Sequence, residues 1–270
     1  MKLWPNHQRA LESLLVELRA DPDALALALG GSLARGWGKE SSDLDGHLLI
    51  TDAAMQRRIA TNDHAYICKE NHCDYEGGYV DLKAVSMPVL EDAAARASEP
   101  FRNAYVGVEI VWTRDGTDEA AMRDVMQRIA TYPEAGHAEK VRQFAAHLRG
   151  MHWYVGEAAK RDNGYLMLWC TQRVILLASR LVLAENRVLY PYHKWMLQTV
   201  ADCEHKPEGF LEAVDAAVAS PGVETTRKVA ELVDGWRTWG PDEPWWEPWI
   251  SRSEWAWRLE GQGAMGIDEV

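Results

Sequence analysis

LGGSLARGWGKESSDLDGHLLI, residues 29–50, joins two apolar runs through a small-residue turn and closes on two aspartates. Gly30-Gly31-Ser32 ends the first run, and Asp43 and Asp45 open the second. Glycine tolerates unusual dihedrals and lets backbone approach a ligand, so backbone N–H groups at such a turn can cradle phosphate oxygens. The Ser32 hydroxyl adds a donor. Two carboxylates two residues apart on a strand face the same way, so Asp43 and Asp45 can share a hard cation.

Outward from this stretch, apolar positions Ala10, Leu11, Leu14, Leu15 and Leu18 recur at helical spacing across 5–20, with Pro5 suited to a first turn. The apolar run 24–29 reads as a strand. Leu44, Gly46, Leu48 and Ile50 alternate with Asp45, His47 and Leu49, the signature of a second strand. A helix is expected over 52–61, strands near 65–69, 79–85 and 106–112, and a helix over 90–97. Asp81 sits near the start of the 79–85 strand, where a third carboxylate could complete a two-metal clamp or take a proton from an attacking hydroxyl.

From Glu119 onward the pattern is helical, with candidates over 139–159, 165–185, 193–200, 208–219 and 225–239. The breaks fall at Asp162-Asn163-Gly164, Tyr190-Pro191, Lys206-Pro207 and Pro221-Gly222. The tail from Pro241, rich in Pro, Trp and Gly, reads as irregular. The organisation expected is a mixed α/β domain over 1–135 and a helical domain over 136–270.

Gly31-Ser32, ten intervening residues, Asp43-Leu44-Asp45 and the apolar-flanked Asp81 together resemble the DNA polymerase β-type nucleotidyltransferase superfamily. The fuller string Gly31-Ser32-Leu33-Ala34-Arg35-Gly36 with Ser42-Asp43-Leu44-Asp45 is similar to its small bacterial members, the aminoglycoside and lincosamide nucleotidyltransferases and the minimal antitoxin-type enzymes. The resemblance implies an α+β fold, a mixed sheet flanked by helices, followed by an α-helical bundle. It also implies a nucleotide site at Gly31, Ser32, Arg35 and Ser42, and Mg²⁺, as a two-ion site, on Asp43, Asp45 and Asp81, with Asp81 as ligand, base or both. ATP is the nucleotide donor it suggests. Gly46 departs from the family, which usually places a bulky apolar residue after the second aspartate. Arg35, Lys83 and Lys194 are candidate cations for the leaving pyrophosphate, and Lys194 is favoured because Tyr190-Pro191-Tyr192-His193-Lys194 precedes a helix.

Composition sets limits on partners. The 270 residues are 47% apolar and 26% charged, a globular balance. A net charge of −12 lacks the clustered Lys and Arg of general nucleic-acid binding. No uninterrupted apolar run reaches the ~18 residues of a membrane span. The charged N-terminal stretch is no signal peptide, and four cysteines are no disulfide framework, so a cytoplasmic enzyme is expected. His64, Cys68, His72 and Cys73 match no standard zinc spacing. Arg142 and His147 match the loose Arg-x4-His pattern of helical HEPN ribonucleases, which two fixed positions make weak. Thirteen tryptophans against three phenylalanines, many of them after residue 235, are expected to pack the tail onto the body.

The leading expectation is transfer of a nucleoside monophosphate, AMP from ATP, to a hydroxyl of a small molecule such as an antibiotic. The alternatives are an antitoxin-like protein nucleotidyltransferase and a non-catalytic nucleotide-binding module.

Overall fold

The computed structural model describes residues 1–63, 65–67, 72–241 and 243–258. The chain divides into two compact units, Met1–Thr131 and Tyr132–Val270.

The first unit is α+β. In order it runs α1 (Pro5–Ala20), β1 (Ala24–Leu29), α2 (Gly31–Ala34), β2 (Leu44–Ile50), α3 (Asp52–Thr61), β3 (Ala65–Ile67), β4 (Val80–Val85), α4 (Met87–Arg96), α5 (Glu99–Asn103), β5 (Glu109–Thr113) and α6 (Glu119–Ala130). Among the described residues the strands form one mixed sheet, ordered β3-β4-β2-β1-β5. Within it the β2–β4 pair is parallel and the other pairs are antiparallel.

Strand alternation builds a core on each face. Leu27, Leu29, Leu44, Leu48, Ile50 and Leu82 point to one side, where Leu14 and Leu18 of α1 and Met55 of α3 cover them. Ala26, Ala28, Leu49 and Val85 point to the other, beneath Leu90 of α4, Tyr105, and Met122, Val125 and Ile129 of α6. Asp45 and His47 share this second face with Leu49, as the alternation of β2 requires.

The second unit is helical. It comprises α7 (His137–Lys160), α8 (Gly164–Glu185), a 3₁₀ turn (His193–Trp195), α9 (Met196–Asp202), α10 (Phe210–Ala219), α11 (Val223–Asp234), α12 (Trp246–Arg252) and a closing 3₁₀ turn (Ala256–Arg258). Helix α8 is apolar and long enough to cross a bilayer, yet most of it is buried in this unit, among Phe144, Leu148, Val214 and Val229. Arg180 of α8 is buried between the rings of Phe144 and Tyr190, its guanidinium carbon 4.5 and 4.3 Å from their centres.

The structure corrects the sequence reading in four places. Within the described part of the tail, Trp246–Arg252 is helical rather than irregular: Trp245 and Trp249, four residues apart, stack at 5.1 Å and pack on Gly150 of α7, and this contact supports α12. Pro248 lies in its first turn, where a missing N–H costs nothing. The short helix α5, absent from that reading, starts at Glu99-Pro100. The strand expected from 106 starts at Glu109, because Gly107 turns the chain with φ +77°. The helix expected over 193–200 is a 3₁₀ turn followed by α9, entered through Tyr192 at φ +69°.

Candidate active site

The sheet's register brings the Gly31 turn, Asp45 and Asp81 together at one end of the strands. Antiparallel β1 and β2 pair Leu29 with Gly46, so the turn leaving β1 lands beside Asp45. Parallel β2 and β4 pair Asp45 with Asp81, which sets those carboxylates side by side on one face. Leu44 N–H donates to Tyr79 O at 3.0 Å, placing Asp43 beside Tyr79.

The turn and the aspartate are in direct contact. Gly30 N–H donates to Asp45 O at 2.9 Å. Gly31 has φ +62°, and a Cβ there would lie 2.1 Å from Asp45 Oδ2 and 2.5 Å from Asp45 Cβ, so only glycine lets α2 approach this strand. The short helix then presents Ser32 and the first-turn amides, which have no partner inside a helix. Gly46 has a related reason: a Cβ there would sit 2.4 Å from the Ala28 carbonyl oxygen, so the position admits no bulky side chain because β1 and β2 press together.

Tyr79 reports the charge of the cluster. Its phenol donates a hydrogen bond to Asp43, and that bond, burial and the charges of Asp43, Asp45 and Asp81 push its pKa well up. One hydroxyl thus feels all three carboxylates. Lys83, two residues beyond Asp81 on the same face, places Nζ 2.5 Å from Asp81 Oδ1. Behind Asp45, His47 is buried, stacked on Tyr105 with ring centres 4.0 Å apart, and burial lowers its pKa to about 4.

Arg35 and Ser42 also make contacts within the first unit. Arg35 Nη2 donates to Asn103 Oδ1 at 2.7 Å and to Asn103 O at 3.0 Å, tying α2 to α5. Ser42 Oγ accepts from Lys39 N–H at 2.9 Å, closing the turn before Asp43. The Ser42 carbonyl accepts from Tyr75 Oη at 2.8 Å and lies 2.9 Å from His7 Nε2. Because His7 Nδ1 accepts from Trp4 N–H at 3.3 Å, its Nε2 carries the proton and donates to Ser42. Lys194 belongs to the second unit, exposed, with Nζ 5.5 Å from the Trp195 ring centre.

Tyr79, His7, Tyr75 and Asn103 were not singled out by sequence. Tyr79 carried a signal, standing two residues before Asp81 and so on the same strand face; the other three act through long-range contacts that no local pattern marks.

Among the described residues, no three His, Cys, Asp or Glu side chains gather as a metal-holding group. Magnesium is commonly bound by one or two carboxylates with substrate phosphates and waters filling the rest of its shell, so the oxygen donors Asp43 and Asp45 fit that ion. In the weak zinc pattern, His64 and Cys68 lie outside the described residues, and His72 stands 2.9 Å from Ser13 Oγ and 3.2 Å from Glu17. His147 is buried against Trp249 with its pKa lowered to about 4, and Arg142 is paired with Glu139 and Glu243.

Comparison with known proteins adds three findings. Residues 114–196 match a domain family described as a domain of unknown function (DUF4037). No curated protein matches the chain. Among solved structures, a nucleotidyltransferase-like protein from Exiguobacterium sibiricum 255-15 is similar at 11% identity, covering 94% of this chain and 79% of that chain with a TM-score of 0.47.

Proposed function

We propose that the chain is a nucleotidyltransferase that moves a nucleoside monophosphate, AMP from ATP, onto a hydroxyl of a small molecule. The observation that supports this most is the Gly31–Asp45 contact beside the Asp45–Asp81 register pair, which brings a glycine turn next to two carboxylates.

In this reading the amides of Gly31 and Leu33 and the Ser32 hydroxyl hold the terminal phosphates. Asp43 and Asp45 hold Mg²⁺, which when bound neutralises charge on the triphosphate oxygens. Asp81 accepts the proton of the acceptor hydroxyl as its oxygen bonds to the α-phosphorus and the bond to pyrophosphate breaks. Lys83 fixes the direction of the Asp81 carboxylate. Arg35, His7 and Tyr75 keep the loop and the start of β2 in place, so the groups meet the triphosphate preorganised. The net charge of −12 favours a cationic acceptor.

The test is pyrophosphate release from each of the four nucleoside triphosphates with Mg²⁺, against aminoglycosides, lincosamides and buffer, with Asp43→Asn as control. Release that requires one acceptor and disappears in Asp43→Asn supports the proposal. ATP binding without release for any acceptor would oppose it and favour a binding module.

A further inference from the structure

We propose that the cleft between β5 and α6 binds a small carboxylate with an aromatic or branched aliphatic body, and that its occupancy is felt by the α2 turn. Helix α6 packs on α4 and α5, and the space left between it and the edge strand β5 is this cleft. Its walls are apolar: Val108 and Ile110 on one side, Met126 and Ala130 on the other. Exposed Arg123 and Gln127 add a cation and an amide to the same lining, an arrangement that suits an apolar body ending in an anion.

Two further observations favour a ligand here. Tyr105 also lines the cleft, and its hydroxyl is buried with no hydrogen-bond partner among the described residues, an uncommon state for a native polar group. Among the described residues Arg123 pairs with Glu119 at 2.6 Å on exposed surface, a weak pair that an incoming carboxylate can replace.

The coupling follows from what the far side of the same wall touches. Residues 104–108 lie beneath the α2 turn: a Cβ at Gly30 would come 3.0 Å from Val108 Cγ2 and 3.3 Å from Ala104 O, and one at Gly107 would come 3.1 Å from Ala34 O. Asn103, just before them, anchors Arg35. Tyr105 itself stacks on His47, two residues past Asp45. A body wedged against Tyr105 and Val108 therefore bears on the turn from below. An effect on turnover rests on the transferase reading; binding does not.

The experiment titrates the full chain with benzoate, isovalerate and neutral benzyl alcohol by calorimetry, then repeats it with Arg123→Gln and Ala130→Phe. Saturable benzoate binding is expected, weakened about tenfold by Arg123→Gln with benzyl alcohol unaffected, and abolished by Ala130→Phe, which fills the cleft. Amide exchange of residues 30–35 should slow when benzoate is bound. No saturable binding of either carboxylate, or benzoate affinity unchanged in Arg123→Gln, would overturn the site. Binding that leaves exchange at 30–35 unaltered would overturn the coupling. All of these readouts are independent of catalysis, so they separate failure of this site from failure of the transferase reading.

Discussion

Replacing Gly31 with alanine tests the contact on which the site's geometry depends. The residue has φ +62°, where an L side chain costs about 1–2 kcal/mol. The new Cβ would also meet Asp45 Oδ2 at 2.1 Å, Cγ at 2.7 Å and Cβ at 2.5 Å. A carboxylate can rotate away, but Asp45 Cβ is fixed to the strand, so α2 or β2 must shift. Overpacking of this kind costs typically about 1–3 kcal/mol. Together the two effects cost about 2–5 kcal/mol. Gly36 supplies the matched control, because it has φ +75° and nothing within 4 Å of where a Cβ would stand, leaving only the dihedral cost. The assay is urea unfolding of the full chain, wild type, Gly31→Ala and Gly36→Ala, followed by circular dichroism. With a slope of about 1–3 kcal/mol per molar urea, Gly31→Ala should unfold roughly 1 M earlier than Gly36→Ala. Coincident midpoints for the two variants would refute the contact, and with it the claim that Gly31 is glycine because of Asp45.

The remaining predictions concern other parts of the chain. Gly46→Ala should destabilise by about 3 kcal/mol or more, since its Cβ would meet the Ala28 carbonyl oxygen at 2.4 Å and backbone cannot swing aside; thermal unfolding checks this. Gly150→Ala should cost about 1–2 kcal/mol and expose the tail to protease, because its Cβ would lie 2.8 Å from Trp249 Cε3 and only side chains need move. His147 has its pKa lowered by burial, and by the charges of Arg173 and Arg252, from 6.5 to about 4. The unfolded chain then binds the extra proton between those values, so stability present above pH 6.5 is lost as pH falls towards 4, by about 3 kcal/mol. His147→Gln should flatten that part of the pH–stability curve, and an imidazole resonance titrating near 6.5 in the folded wild type would contradict it.

Much of the first unit was legible in its sequence because its strands follow plain rules. The Leu44–Ile50 alternation is strict, each of its two faces meets a separate core, and Thr51 caps α3 where the apolar run ends. The glycine turn after Leu29 and the aspartates that open the next strand were legible as separate features, whereas their contact comes from the β1–β2 register. What sequence did not carry were contacts across long separations. Arg35 reads as a phosphate cation, and its bond to Asn103, 68 residues away on a helix the pattern missed, is marked by no local pattern. Ser42 reads as a nucleotide contact, and the grip of His7 and Tyr75 on its carbonyl comes from distant parts of the chain. Helix α12 is fixed by indoles packing on Gly150, a tertiary effect that outweighs the local content of proline.

In the proposed reaction, Asp43 and Asp45 hold a metal-bound triphosphate against the Gly31–Ser32 turn. The most direct test is equilibrium binding of the non-transferable analogue α,β-methylene-ATP to wild type and Asp45→Asn, each with Mg²⁺ and with EDTA. Saturable binding to wild type that EDTA weakens at least about tenfold is expected, with a variant that binds weakly in both conditions. Binding that is equally tight with and without Mg²⁺, and unchanged in Asp45→Asn, would contradict this role of the two aspartates.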